Sequence, residues 1–198
     1  MATFIDGASQ GLHGFAIANP WLTPIVIWGT AGFLILCPVG FLALSLWEGR
    51  LRPGVAGLLG LGVTQLVSHE LGRITYQARP FVVMHFVPLF PHPPNNSFPS
   101  SLTAFAAVAA IVGVLAWRRV GIVFVVGMVV VGFGCVYVGV HYPSDVIVGA
   151  GVGIVCGWAT WVITGLPPVA RAFSVLERRL PRGRRRGVPP RVAARAAS

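Results

Sequence analysis

The sequence predicts an all-α, polytopic membrane protein: a transmembrane helical bundle of about five spans, preceded by an N-terminal interfacial helix. Three observations carry this. The chain of 198 residues is 55% hydrophobic and only 10% charged, against roughly 25% charged in soluble domains. Its apolar residues fall in long runs, each near the ~20 residues a helix needs to cross a bilayer. The runs are rich in Gly, Ala and Ser, which let helices approach closely in lipid.

Residues 1–20 are mixed in character and lie on the surface or enter part way. They lack a basic start and a continuous apolar stretch, so no cleavable signal peptide is evident. The predicted spans are 21–47, 54–72, 100–117, 120–140 and 145–165. The polar segments 73–99 and 141–144 separate them at one end. The chain thus divides into an N-terminal extracytoplasmic segment (1–20), a membrane domain (21–165) and an Arg-rich tail (166–198). The tail is Pro-rich, Gly-rich and like-charged, a composition that predicts disorder.

The formal charge of +10 invites a nucleic-acid reading, but its placement argues against one. Every basic residue is arginine, and nine of the 15 lie between Arg171 and Arg195. No aromatic residue beyond Phe173 accompanies them, so a stacking platform for bases is missing. Beside a bilayer such a tail is drawn to anionic headgroups, at about 1 kcal/mol per basic residue. The other arginines set the orientation. Arg50 and Arg52 follow the first span, and Arg118 and Arg119 follow the third. With five spans these sites and the tail share one side, expected to be cytoplasmic. Segments 73–99 and 141–144 then lie outside. Arg without Lys, with abundant Ala, Gly, Val and Pro, suits a GC-rich bacterial genome, hence a bacterial cell membrane. Cys37, Cys135 and Cys156 show no metal or disulfide spacing and read as small buried hydrophobes. A channel or transporter should carry charges within its spans; here Glu70, with His69, lies near the end of one, and Asp145 is only the first residue of another.

The polar residues outside the spans are unusual. In "VGVHYPSDVIVG", His141 and Asp145 are four apart. A helix starting near Pro143 puts Asp145 in its first turn, where the dipole favours a carboxylate. The pair is either a capped helix with a satisfied histidine, or a base or nucleophile held by its carboxylate. In "YQARPF", Arg79 precedes proline and is pushed to an extended conformation. It either snorkels to headgroups or aims a planar fork of donors at an anion. Arg73 is nearby, in i,i+3 register with Glu70. In "NNSFPSSLTAF", a helix starting at Pro99 offers the N–H groups and hydroxyls of Ser100 and Ser101, as an ordinary cap or as an anion site. An arginine, a serine-rich helix start and a His–Asp pair on one face describe phosphoryl transfer.

On these motifs the sequence resembles the type 2 phosphatidic acid phosphatase superfamily, over roughly residues 54–165. "RPF", "PHPPNNSFPS" and "VYVGVHYPSDV" look most like the bacitracin-resistance type of undecaprenyl diphosphate phosphatase. The resemblance implies that Arg79 binds phosphate with help from Ser100. It implies that His141 is the nucleophile that becomes phosphohistidine, and that Asp145 orients it. It implies no metal and no cofactor, and a lipid phosphate or diphosphate as substrate; membrane lipids are the other expected partner, through the Arg-rich tail. Three positions depart from the family pattern: Gly72 stands for lysine, Leu102 for the general-acid histidine and Cys135 for arginine. Arg73 could replace the lysine, and His85 or His92 could supply a proton. Either the protein hydrolyses a polyprenyl diphosphate, whose leaving group needs little acid help, or it is an impaired relative that binds lipid phosphates or a membrane partner.

Overall fold

The computed structural model describes residues 2–177, and the side chains from residue 7 onward. Eight helices follow in order: α1 (Ala2–Ala18), α2 (Leu22–Trp47), α3 (Leu51–Ile74), α4 (Pro80–Val83), α5 (Ser101–Ala116), α6 (Arg118–Tyr137), α7 (Pro143–Gly165) and α8 (Pro167–Glu177). The five expected spans correspond to α2, α3, α5, α6 and α7. Among the described residues, length and hydropathy alone qualify α2, α6 and α7 as spans, with mean hydropathy 2.2, 2.5 and 2.0. The other two fall short for physical reasons. Helix α3 is diluted by glycine and ends in His69, Glu70 and Arg73, and α5 has only 16 residues.

Helix α5 is the centre of the bundle and packs against α2, α3, α6 and α7. Its small residues Ala104, Ala106, Ala107, Ala109, Ala110 and Gly113 are buried. Against it α7 presents Gly149, Gly153 and Gly157, one per turn. A Cβ at Gly153 would lie 2.1 Å from the Ala104 carbonyl oxygen, and one at Gly149 would lie 2.4 Å from that of Ser100. Two helix backbones are therefore in direct contact, a packing mode favoured where lipid offers no hydrophobic drive between helices. The outward faces are apolar instead: Trp28, Ile35, Leu36, Ile122, Val123 and Val155 are all more than half exposed. A surface of this kind calls for a lipid solvent. All three cysteines are buried and free, as their spacing predicts.

The two ends of the bundle differ. At one end Arg52 donates to the Trp161 carbonyl and lies over its ring, while Trp117 Nε1 and Arg50 both donate to Glu48. Helix α8 joins this end, where Glu177 accepts the Leu51 N–H at 2.7 Å. The expectation of disorder over 166–198 is thus corrected for Pro167–Glu177. A Pro start and an amphipathic pattern support one short helix there, which the like-charged composition further on obscured. The rest of the predicted disordered tail, 178–198, lies outside the described residues. At the other end α1 lays Ser9, His13 and Ala16 inward, and Ala16 packs with Tyr137, Val138 and Val140, just before His141.

Candidate active site

The chain leaves α3 extended, and Arg79 sits at φ −66°, ψ 152° ahead of Pro80, as a pre-proline residue should. The returning segment 95–98 is stitched to it. Ala78 bridges Asn96 in antiparallel fashion, and Ser97 N–H donates to the Gln77 carbonyl at 2.8 Å. The Asn96 side chain donates to the Gly72 and Thr75 carbonyls and accepts from the Gln77 and Phe98 N–H groups. This stitching holds Arg79 rigidly. Its Nε donates to Asn95 Oδ1 at 2.9 Å, Nη2 to the Asn96 carbonyl at 3.0 Å and Nη1 to the Val140 carbonyl at 2.8 Å. Only 5% of Arg79 is exposed.

Nη1 of Arg79 also lies 3.4 Å from His141 Nε2. On the opposite side of the imidazole, Nδ1 is 3.3 Å from Ser97 Oγ and 3.6 Å from Asp145 Oδ2. Ser97 Oγ donates to that same carboxylate oxygen at 2.5 Å. Its single proton is thus given to Asp145, and Ser97 can accept from Nδ1–H. The chain of contacts runs His141 to Ser97 to Asp145. Asp145 is fully buried in the first turn of α7 and also accepts the Tyr142 N–H at 3.0 Å. Sequence reasoning placed Asp145 directly behind His141 and missed Ser97. The only signal for it was a polar residue two before Pro99 in a stretch already marked as unusual.

Burial is the main cause that lowers the His141 pKa, and Arg79 acts in the same direction. Hydrogen bonding and the charge of Asp145 oppose it. The imidazole is therefore held neutral at pH 7, with its Nε2 lone pair available. Burial lowers Arg79 too, against the pull of Asp145, yet a guanidinium has far to fall and remains a cation. A neutral imidazole with one nitrogen pinned, and the other beside a guanidinium, can attack an anion that the guanidinium holds.

Arg79 and His141 open on a cavity of about 290 Å³, lined also by Ser68, His69, Arg73 and Ser101. Ser101 begins α5, so its N–H has no partner within the helix. Ser100 departs from expectation. It is fully buried, its N–H donates to the Asp145 carbonyl at 3.1 Å and its hydroxyl pairs with Thr103 at 3.0 Å. Its N–H joins the start of α5 to that of α7 and its hydroxyl is engaged within α5, so Ser100 positions Asp145 rather than lining the cavity. Arg73 does face it, exposed and paired with Glu70 at 3.3 Å.

Of the two loop histidines expected as proton donors, neither lines the cavity. His92 bonds the Pro93 carbonyl, and burial together with the charges of Arg79 and His141 lowers its pKa. Besides His141, the histidine on the wall is His69. Gly72 is bare because the loop presses on it: a Cβ there would lie 3.0 Å from the Phe98 carbonyl oxygen. Cys135 is buried against Ser100. Leu102 turns away altogether, into an apolar groove of about 270 Å³ between α2, α3 and α5.

Residues 53–166 match the PAP2 superfamily. The chain belongs to that superfamily. Among known proteins it is similar to the undecaprenyl-diphosphatase BcrC of Bacillus subtilis (strain 168), 28% identical over 155 residues, covering 75% of this chain and 78% of the relative. The structure is similar to Aquifex aeolicus LpxE, with TM-score 0.61 at 25% identity, covering 77% of this chain and 91% of that one. It shares its fold with a transmembrane PAP2 type phosphatidylglycerolphosphate phosphatase from Bacillus subtilis, with TM-score 0.64 at 23% identity, covering 83% and 86%. The sequence resemblance is thereby borne out at the level of family, and with it a membrane protein of the phosphatase class. The PAP2 match begins at Pro53 and ends at Leu166, so it takes in every residue of the cavity.

Proposed function

We propose that this PAP2 protein is a lipid diphosphatase that hydrolyses a polyprenyl diphosphate of the undecaprenyl type at the outer membrane face. The observation that carries the reading is the double engagement of His141, with Nε2 at 3.4 Å from Arg79 and Nδ1 turned to Ser97 and Asp145. The name of the BcrC relative supports the substrate class. Arg79 and the start of α5 at Ser101 hold the terminal phosphate. His141 Nε2 attacks its phosphorus. The N–P bond forms as the bond from phosphorus to the bridging oxygen breaks, and the electron pair leaves on the lipid monophosphate. Water then attacks the phosphohistidine. The new O–P bond forms, the P–N pair returns to Nε2, and inorganic phosphate departs with a proton shed to solvent. The chemistry asks for no metal or cofactor. The arginine-bearing end with α8 faces the cytoplasm, and α1 lies at the outer interface.

Leaving-group chemistry supports a diphosphate over a simple phosphate ester. An alkoxide, whose conjugate acid has a pKa near that of water at roughly 16, needs a proton donor worth about 10²–10⁴-fold. A phosphate monoester, with a second pKa of about 6, leaves without one. Leu102 in place of a histidine is then tolerable.

One observation favours a second reading, that of a binding protein with an impaired site. Gly72, Leu102 and Cys135 add no cation to the cavity, and Leu102 lines the apolar groove. Phosphate release by the purified protein in detergent separates the two. Undecaprenyl diphosphate and phosphatidic acid are compared for wild type, His141→Ala and Leu102→His. Release that favours the diphosphate and is abolished in His141→Ala supports the diphosphatase. No release from wild type, with release gained in Leu102→His, supports the binding protein.

A further inference from the structure

We propose that the α3 wall of the polar cavity, formed by Ser68, His69 and Arg73, is a second phosphate subsite that holds the phosphate remaining on the lipid. The inference rests on the diphosphatase reading and deepens it. Arg79, His141 and Ser101 account for one side of the cavity; the α3 side has no part in the attack described above.

Three observations point to a ligand on that side. Ser68 is only 6% exposed, lines the cavity, and its Oγ has no hydrogen-bond partner. A buried hydroxyl without a partner is costly, and a bound oxyanion would satisfy it. His69 and Arg73, one turn apart on α3, line the same wall and can both donate to an oxyanion. The cavity of about 290 Å³ has room for more than one phosphoryl group.

The order of residues along α3 supplies the direction. Arg73, His69, Ser68 and Gln65 line the polar cavity, and Leu61, Leu58 and Gly57 line the apolar groove. Helix α5 repeats the change, with Ser101 on the cavity and Leu102 and Phe105 on the groove. From the loop end inward the wall therefore reads charged, then polar, then apolar. A prenyl diphosphate has the same order: terminal phosphate, bridging phosphate, hydrocarbon. With the terminal phosphate at Arg79 and His141, the phosphate attached to the chain falls on Ser68 and His69. A lipid monophosphate cannot span both sides, so the α3 wall makes the site selective for a diphosphate.

The test measures binding as well as turnover. Farnesyl diphosphate and farnesyl monophosphate are titrated into the detergent-solubilised full chain by calorimetry, for wild type, Ser68→Ala, His69→Gln and Arg73→Gln. Wild type is expected to bind the diphosphate at least tenfold more tightly. Ser68→Ala and His69→Gln should each weaken diphosphate binding about tenfold, the loss expected for a hydrogen bond to a charged group, and monophosphate binding less than about threefold. Ser68→Thr, which keeps the hydroxyl, should recover the Ser68→Ala loss. Equal binding of the two lipids by wild type, or parallel losses for both in the variants, overturns the subsite. Phosphate release is followed in the same samples. Selective binding that depends on Ser68 and His69, without release, sustains the subsite and removes the hydrolytic reading. Release from wild type with no change of selectivity in the variants does the reverse.

Discussion

Ser97→Ala tests the His141–Ser97–Asp145 chain. The change removes one hydroxyl with almost no change of shape. It deletes the 2.5 Å bond to Asp145 Oδ2 and the 3.3 Å contact to His141 Nδ1. Asp145 then keeps the Tyr142 N–H at Oδ2, while Oδ1 already lacks a partner in a fully buried residue. A hydrogen bond to a charged group is worth about 1.5–3 kcal/mol. In the proposed mechanism, phosphorylation of Nε2 leaves a proton on Nδ1 and puts positive charge on the ring, so the contact strengthens as the reaction proceeds. Most of the loss should therefore fall on kcat, a drop of roughly 10–100-fold, with KM changed less than about threefold. The assay is steady-state phosphate release from undecaprenyl diphosphate, alongside thermal unfolding to show that the variant is folded. The competing geometry is explicit. Asp145 Oδ2 is 3.6 Å from Nδ1, so a small shift of the ring could make a direct bond once Ser97 is gone. A kcat within about twofold of wild type would mean that Asp145 serves His141 alone and that the Ser97 link is incidental.

Other outcomes follow from the same structure. His141 is held below 6.5 chiefly by burial; kcat/KM should stay level down to that pH and fall only as acid protonates Nε2. Stability should also decline as pH drops below 6.5, because the unfolded chain takes up a proton that the buried ring refuses. Since Asp145 raises the His141 pKa, Asp145→Asn should move the titration to lower pH in histidine-selective ¹⁵N NMR; a move upward would contradict the assignment. Gly72→Lys supplies the cation of the family pattern but drives a Cβ against the Phe98 carbonyl at 3.0 Å, so activity should fall rather than rise.

Much of the fold was legible because its signals are local. Apolar runs of span length gave the helices, and arginine placement gave the two unlike ends. The start of α7 at Pro143 with Asp145 in its first turn, and the extended Arg79 before Pro80, follow from backbone rules that act over a few residues. Ser97, Asn95 and Asn96 were not legible in role, because their partners lie 16 to 48 residues away. The same holds for Ser100. Its position at the head of α5 predicts a free N–H, but α7 approaches so closely that the Asp145 carbonyl takes it. His69 was hidden by register: only the packed bundle shows which face of α3 meets the cavity. Helix α8 was hidden by averaging its composition with a more basic stretch beyond it.

The glycine stripe on α7 does more than pack. Gly149 lies against the Ser100 carbonyl and Gly153 against that of Ala104, so α5 and α7 are held in one register. That register brings Asp145 to Ser97 and lets the Ser100 N–H meet the Asp145 carbonyl at 3.1 Å. A helix advances ~1.5 Å per residue, and a misplacement of about 1 Å at a reacting group can cost 10²-fold in rate. Catalysis should therefore report on packing two turns below the site. Gly153→Ala puts a Cβ 2.1 Å from the Ala104 oxygen, so the helices must separate, at a cost of about 1–3 kcal/mol. Gly151, on the same helix, has nothing within 4 Å of its Cβ position, and Gly151→Ala is the matched control. The expected result is a lower melting temperature and a lower kcat in Gly153→Ala alone, although residue 153 touches no substrate. If Gly153→Ala lost stability but kept full kcat, the geometry at His141 would have to be set by the Asn96 loop contacts and not by the α5–α7 register.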